Sequence, residues 1–95
     1  MTRKRLNAAE YRDQPKMIAK LLNNALATGD TVAVIRTIGD VLRAHGMSEC
    51  ARRTGLDRRT LYKSFGGKAM PSLDRVLKTL AALEVEVVVN PIKRS

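Results

Sequence analysis

The sequence predicts an all-α domain of five helices followed by a short C-terminal β-strand. Three observations carry that expectation. Apolar residues recur at helical spacing in successive segments, Gly or a capping residue bounds each segment, and only the last stretch alternates with a period of two. The 95 residues fit one compact domain, and an apolar content of 44% argues for a folded chain. With aromatics at 3% and no Trp, the core must be built from Leu, Ile, Val and Ala.

Residues 1–14 are polar and mixed in charge, and a flexible basic arm is expected there, with the folded domain over 15–95. Asp13 before Pro15 marks a helix start, because Asp caps free amides and Pro suits the first turn. Met17, Ile18, Leu21, Leu22, Ala25 and Leu26 then form one apolar stripe, which Gly29 ends. Asp30 caps a second helix carrying Val34, Ile35, Ile38, Val41 and Leu42, stopped by Gly46. A short helix is expected from about Ser48 to Thr54, broken by Gly55, and another from Arg58 to about Phe65, capped by Asp57. Gly66, Gly67 and Pro71-Ser72 mark a loop before a fifth helix bearing Leu73, Val76, Leu77, Leu80 and Leu83. Val85, Val87 and Val89 then alternate with Glu84, Glu86 and Val88, which predicts a strand. A single strand leaves its backbone groups unpaired, so the same strand of a second subunit is the simplest partner.

The run from Met47 to Phe65 meets the steric demands of a helix-turn-helix, and with the five helices it predicts a lambda-repressor-like domain. Ala51 is small where two helices cross. Gly55 follows four residues later, where the turn needs a left-handed backbone. Leu56 plugs the turn and Leu61 anchors the second helix. Ser64 stands three after Leu61, where such motifs usually place an apolar residue, so Phe65 is expected to supply that packing. The outward face of the second helix reads Arg58, Arg59, Thr60, Lys63 and Ser64. Arg bonds bidentately to guanine in the major groove, and Thr meets thymine methyls or phosphate. Arg52, Arg53 and the arm residues Arg3, Lys4 and Arg5 are assigned to phosphates, which add affinity and register without reading sequence.

The charge points the same way. Eighteen Lys and Arg against 9 Asp and Glu leave a formal net charge of +9, which attracts polyanions, nucleic acid first among them. A membrane surface fits less well, because the cations are not gathered along one long amphipathic helix. No apolar run reaches the roughly 20 residues of a membrane span, and no signal-peptide segment follows the basic start. Cys50 is the only cysteine, which suits a reducing compartment, and a cytoplasmic location is expected. Cys50 reads as a small buried hydrophobe, and His45 as a helix C-terminal residue whose imidazole meets free carbonyls. Gly66-Gly67-Lys68 lacks the strand and glycine spacing of a phosphate loop and reads as a turn. No pairing of carboxylates and no Ser, His and Asp set indicates an enzyme, and nothing calls for a cofactor or a metal.

Several segments together resemble the antidote (antitoxin) proteins of HigA-related, Xre-like type II addiction modules, from about Tyr11 to Val89. They are Ala25-Leu-Ala-Thr-Gly-Asp30, Ile38-Gly-Asp-Val-Leu-Arg-Ala-His-Gly46, Ala51-Arg-Arg-Thr-Gly-Leu56, Leu61-Tyr-Lys-Ser-Phe65, and Pro71-Ser-Leu73 through Leu83. The resemblance implies a homodimer that represses its own operon and neutralises a co-expressed RelE- or ParE-like toxin. It implies base reading by the helix starting at Arg58. It places dimer contact in the last helix and strand, at Leu80, Leu83, Val85, Val87 and Val89. A toxin of that kind is itself basic, so an antidote of +9 would grip it through apolar contact or through Glu10, Asp13, Asp30 and Asp40. Two other readings stay open: a stand-alone phage-type transcriptional repressor, and a toxin-binding protein with only generic DNA affinity.

Overall fold

The computed structural model describes residues 15–92. Five helices follow in order: α1 (Pro15–Ala27), α2 (Thr31–His45), α3 (Met47–Thr54), α4 (Arg58–Ser64) and α5 (Leu73–Ala82). The predicted starts hold where their caps can be seen. The Asp30 carboxylate accepts from the Val32 and Ala33 amides at 3.0 and 3.2 Å, and Asp57 accepts from the Thr60 amide at 2.7 Å. Ser72, read in the sequence only as part of a loop, caps α5 by accepting from the Arg75 amide at 3.1 Å. Each bond satisfies an amide that the first turn of a helix leaves without a partner. Asp13, Arg3, Lys4, Arg5 and Glu10 lie outside the described residues.

The helices pack around α3, which touches α2, α4 and α5, while α1 packs on α2. Their shared interior holds Ile18, Leu22, Ile35, Ile38, Val41, Leu42, Met47, Cys50, Leu61, Phe65, Leu80 and Leu83. The apolar stripes of α1 and α2 therefore face inward as their spacing predicts, except that Met17 and Leu26 stay exposed. Gly39 on α2 lies so close to the end of α4 that an added Cβ would overlap the Phe65 carbonyl oxygen. The close packing of α2 on that segment thus depends on a missing side chain.

Three expectations are corrected. First, residues 85–92 form no strand, and no strand occurs among the described residues. Instead α5 closes with a tight cap: Glu84 takes a left-handed φ of 64°, and the Val85 amide donates to the Leu80 carbonyl at 3.1 Å. Val85 packs on the core, but Val87 and Val88 are exposed, and Val89 is 90% exposed. Alternation alone does not make a ladder, because a strand needs an edge to pair with and the described residues offer none. Second, Leu80 and Leu83, expected at a dimer contact, are buried within their own chain, whereas Leu73 and Leu77 are 72% and 46% exposed. The apolar spacing on α5 spans two faces, and only one faces the core. Third, His45 does not reach the carbonyls at the end of α2: its Nδ1 is buried without a hydrogen-bond partner.

Candidate nucleic-acid interface

α3 and α4 are both short and meet through the tight turn at residues 55–57. Gly55 closes α3 in the left-handed conformation, at φ 77°, with its amide donating to the Ala51 carbonyl at 3.0 Å. The Thr54 hydroxyl ties the turn from both sides. It donates to the Cys50 carbonyl at 2.8 Å and accepts from the Leu56 amide at 3.2 Å. Ala51 and Leu56 are half-buried against the core, where the sequence placed them, and Leu61 is fully buried.

Leu61 sets the rotation of α4. Arg59 and Lys63 stand two residues before and two after it, each roughly 160° around the helix, and so point most directly outward. Both are exposed, as is Arg58, while Thr60 is half-buried. Ser64 is buried, and its hydroxyl accepts from Arg75 Nη1 on α5 at 3.1 Å. This polar tie explains why a serine is tolerated where an apolar residue is usual. Phe65, as expected, fills the core beside it. The sequence reading missed Tyr62, which is exposed on the flank of the same face, one turn after Arg58. The helical offset from Leu61 was enough to find it.

The charges divide sharply between the two helices. Glu49 on α3 engages both Arg52 and Arg53, the latter from Nε at 2.9 Å. These guanidinium hydrogen bonds, Arg52 first, hold the Glu49 carboxyl below its ordinary range. Arg53 also donates to the Ala82 carbonyl at 3.1 Å and to Glu84 at 3.3 Å. It therefore fastens α3 to the C-terminal end of α5, where a cation meets free carbonyls. Arg43 pairs with Asp40 and Lys78 with Asp74. By contrast Arg36, Arg58, Arg59, Lys63 and Lys68 have no carboxylate partner among the described residues. Lys16 and Lys20 on α1 and Arg75 on α5 likewise enter no ion pair between described residues, so what sets α4 apart is that four such cations, Arg58, Arg59, Lys63 and Lys68, fall within eleven residues.

Asp30 and Asp40, named as acidic candidates for a toxin contact, are occupied by the α2 cap and by Arg43. Cys50 is fully buried, and burial pushes its thiol up, away from the reactive thiolate. The described residues contain no group of three or more His, Cys, Asp and Glu placed to hold a metal, and no helix among them is long and apolar enough to cross a membrane.

A family described as "probable addiction module antidote protein" matches residues 2–91. The chain belongs to this antidote family. An uncharacterized protein of Haemophilus influenzae is similar, at 31% identity over 83 residues, covering 87% of this chain and 86% of its own. No solved structure matches. Antidotes act by opposing a toxin, so membership implies a toxin partner in general and suggests a regulatory role. In this antidote the buried anchor Leu61, the capped turn and the exposed cations Arg58, Arg59, Lys63 and Lys68 occupy a single continuous segment, 47–68.

Proposed function

We propose that the chain is a DNA-binding antidote of a type II addiction module. It neutralises a co-expressed RelE- or ParE-like toxin and represses its own operon through a helix-turn-helix formed by α3 and α4. The observation that carries the DNA-binding part is the outward face of α4, whose cations enter no ion pair between described residues. Arg58, Arg59 and Lys63 project from a helix held at its back by Leu61. A helix of this kind enters the major groove, where Arg59 and Arg58 read guanine edges and Lys63 meets the backbone. Arg52, exposed at the end of α3 but paired with Glu49, lies at the edge of this surface.

Operator half-sites repeat across a two-fold axis, so the repressor works as a homodimer. We assign its contact to exposed apolar residues beyond the core, namely Leu73 and Leu77 on α5 and Val87 to Val89 in the tail. Large apolar side chains left in water at one end of a small domain favour association.

Fluorescence anisotropy on the upstream operator and on a scrambled duplex, across a salt series, tests the proposal. Preference of roughly a thousandfold or more for the operator is the expected result. Equal and steeply salt-dependent binding to both duplexes would reduce the +9 charge to generic attraction. Toxin inhibition would then be the whole activity.

A further inference from the structure

We infer that Arg36 on α2 and Lys68 in the loop after α4 form a clamp for DNA phosphate, beside the groove that α4 enters. The inference rests on the DNA-binding reading above. It assigns a function to two residues outside the two-helix segment and to the Gly66-Gly67-Lys68 turn, which the recognition helix leaves unexplained.

The geometry begins at Gly67. Its φ is 89°, in the region that favours glycine. A Cβ built there would stand 3.0 Å from Arg36 Nε and 3.3 Å from Arg36 Cγ. The Arg36 stem therefore lies across bare backbone in the space that a side chain at position 67 would take. At Gly66 the turn is just as tight, because a Cβ would come 2.9 Å from the Tyr62 carbonyl oxygen. Two glycines in succession thus fold the chain back at the C-terminal end of α4 and receive an arginine from a different helix.

An exposed arginine ordinarily loses side-chain entropy when it is fixed, and it gains an acidic partner in return. Arg36 is laid down without one: it is exposed and has no carboxylate partner among the described residues, although Arg43 on the same helix is paired with Asp40. Lys68, the next residue after Gly67, is likewise exposed and unpaired among them. Arg36 thus lies against the backbone one residue before Lys68, just past a helix whose outward face already carries Arg59 and Lys63. The ligand that completes them is a phosphodiester. A guanidinium presents a planar fork of donors to two phosphate oxygens, and a lysine adds a point charge. Such contacts fix register on the duplex and carry no base information.

The test compares the full-length protein with Arg36→Ala, Arg36→Lys and Lys16→Ala on operator and scrambled duplexes across a salt series. Lys16→Ala removes an equal charge from α1, which packs on α2. A phosphate clamp predicts that Arg36→Ala weakens binding several-fold, by the same factor on both duplexes. The slope of log affinity against log salt should fall in magnitude by about one. Arg36→Lys should recover part of the loss, and the thermal midpoint should not move. An unchanged slope, a loss confined to the operator, or an equal loss from Lys16→Ala would each overturn the clamp. The wild-type measurement separates the two proposals. Equal wild-type affinity for both duplexes sinks base reading by α4 while the Arg36 comparison still decides the clamp, and no binding to either duplex sinks both.

Discussion

α3 and α4 look interchangeable in the sequence, yet they do opposite things with the same residues. Each is short, and each carries two adjacent arginines. In α3 the pair Arg52-Arg53 follows Glu49 at three and four residues, so one carboxylate faces both guanidinium groups across a single turn. Arg53 then continues to the Ala82 carbonyl and Glu84, and becomes a fastener between helices. In α4 the pair Arg58-Arg59 follows Asp57, whose carboxylate is spent on the Thr60 amide. Arg58 and Arg59 form no ion pair with it, although the charge of Arg59 helps to lower the Asp57 carboxyl, and both stay exposed. What separates a structural arginine from a ligand-seeking one here is the position of the nearest acid on the helix, one turn back or at the cap.

The comparison breaks most visibly at Leu61. Removing this buried anchor should cost about 2–5 kcal/mol, the usual range for a fully buried Leu cut to Ala. Urea unfolding should show the whole domain losing stability together. If instead Leu61→Ala melts like wild type, α4 is not held by the core and its outward face is not set by packing. The next effect is smaller and divides the arginines. Arg59→Ala should lower operator affinity by about 1–3 kcal/mol at an unchanged thermal midpoint. Arg53→Ala should do the reverse, lowering the midpoint while the ratio of operator to scrambled binding stays fixed. Anisotropy and thermal melts on the same two variants check this. The same signature from both would erase the distinction between the helices.

That distinction also shows how far the sequence can be read. Caps at Asp30 and Asp57, the turn at Gly55 and the anchor at Leu61 were legible, because each is a local demand of backbone geometry met by residues within a few positions. The fate of Arg53 was half legible: Glu49 is local, but the Ala82 carbonyl and Glu84 become neighbours only when α5 folds back on α3. Arg36 carried no signal at all, since its approach to Gly67 depends on how α2 crosses the end of α4. The C-terminal misreading has a different cause. Alternating valines report a preference for extended backbone, whereas strand formation depends on a pairing edge, and none occurs among the described residues.

The exposed tail sharpens the contrast between the surface proposed to bind DNA and the one proposed to bind a second copy. Deleting residues 87–95 leaves the Glu84 and Val85 cap in place and removes Val87, Val88, Val89 and Ile92, all exposed. If the proposed dimer forms through the tail, sedimentation should show it dissociating at higher protein concentration than wild type. The thermal midpoint extrapolated to the monomer should change little, because none of these side chains lies in the core. An unchanged dimer would move the contact entirely to Leu73 and Leu77.

The smallest effect lies at the cap that distinguishes α4 from α3. The Thr60 backbone amide, bonded to the Asp57 carboxylate, holds that carboxyl below its ordinary range. A carboxyl lowered in the folded state binds its proton more readily when unfolded, so it contributes stability above the unfolded value, near pH ~3.9. That contribution is lost as the pH falls through the lower folded value. Asp57→Asn keeps an oxygen that caps the helix but removes the titration and the negative charge at the helix start. Wild type should therefore melt slightly above Asp57→Asn at pH 7, and the two curves should begin to approach each other as the pH falls below ~4, meeting only below the lower folded value. Glu49, lowered by Arg52 and Arg53, titrates in the same window in both proteins and cancels from the difference. Parallel melting curves through the acid range would mean that the charge on Asp57 does nothing for α4, and that its cap works by hydrogen bonding alone.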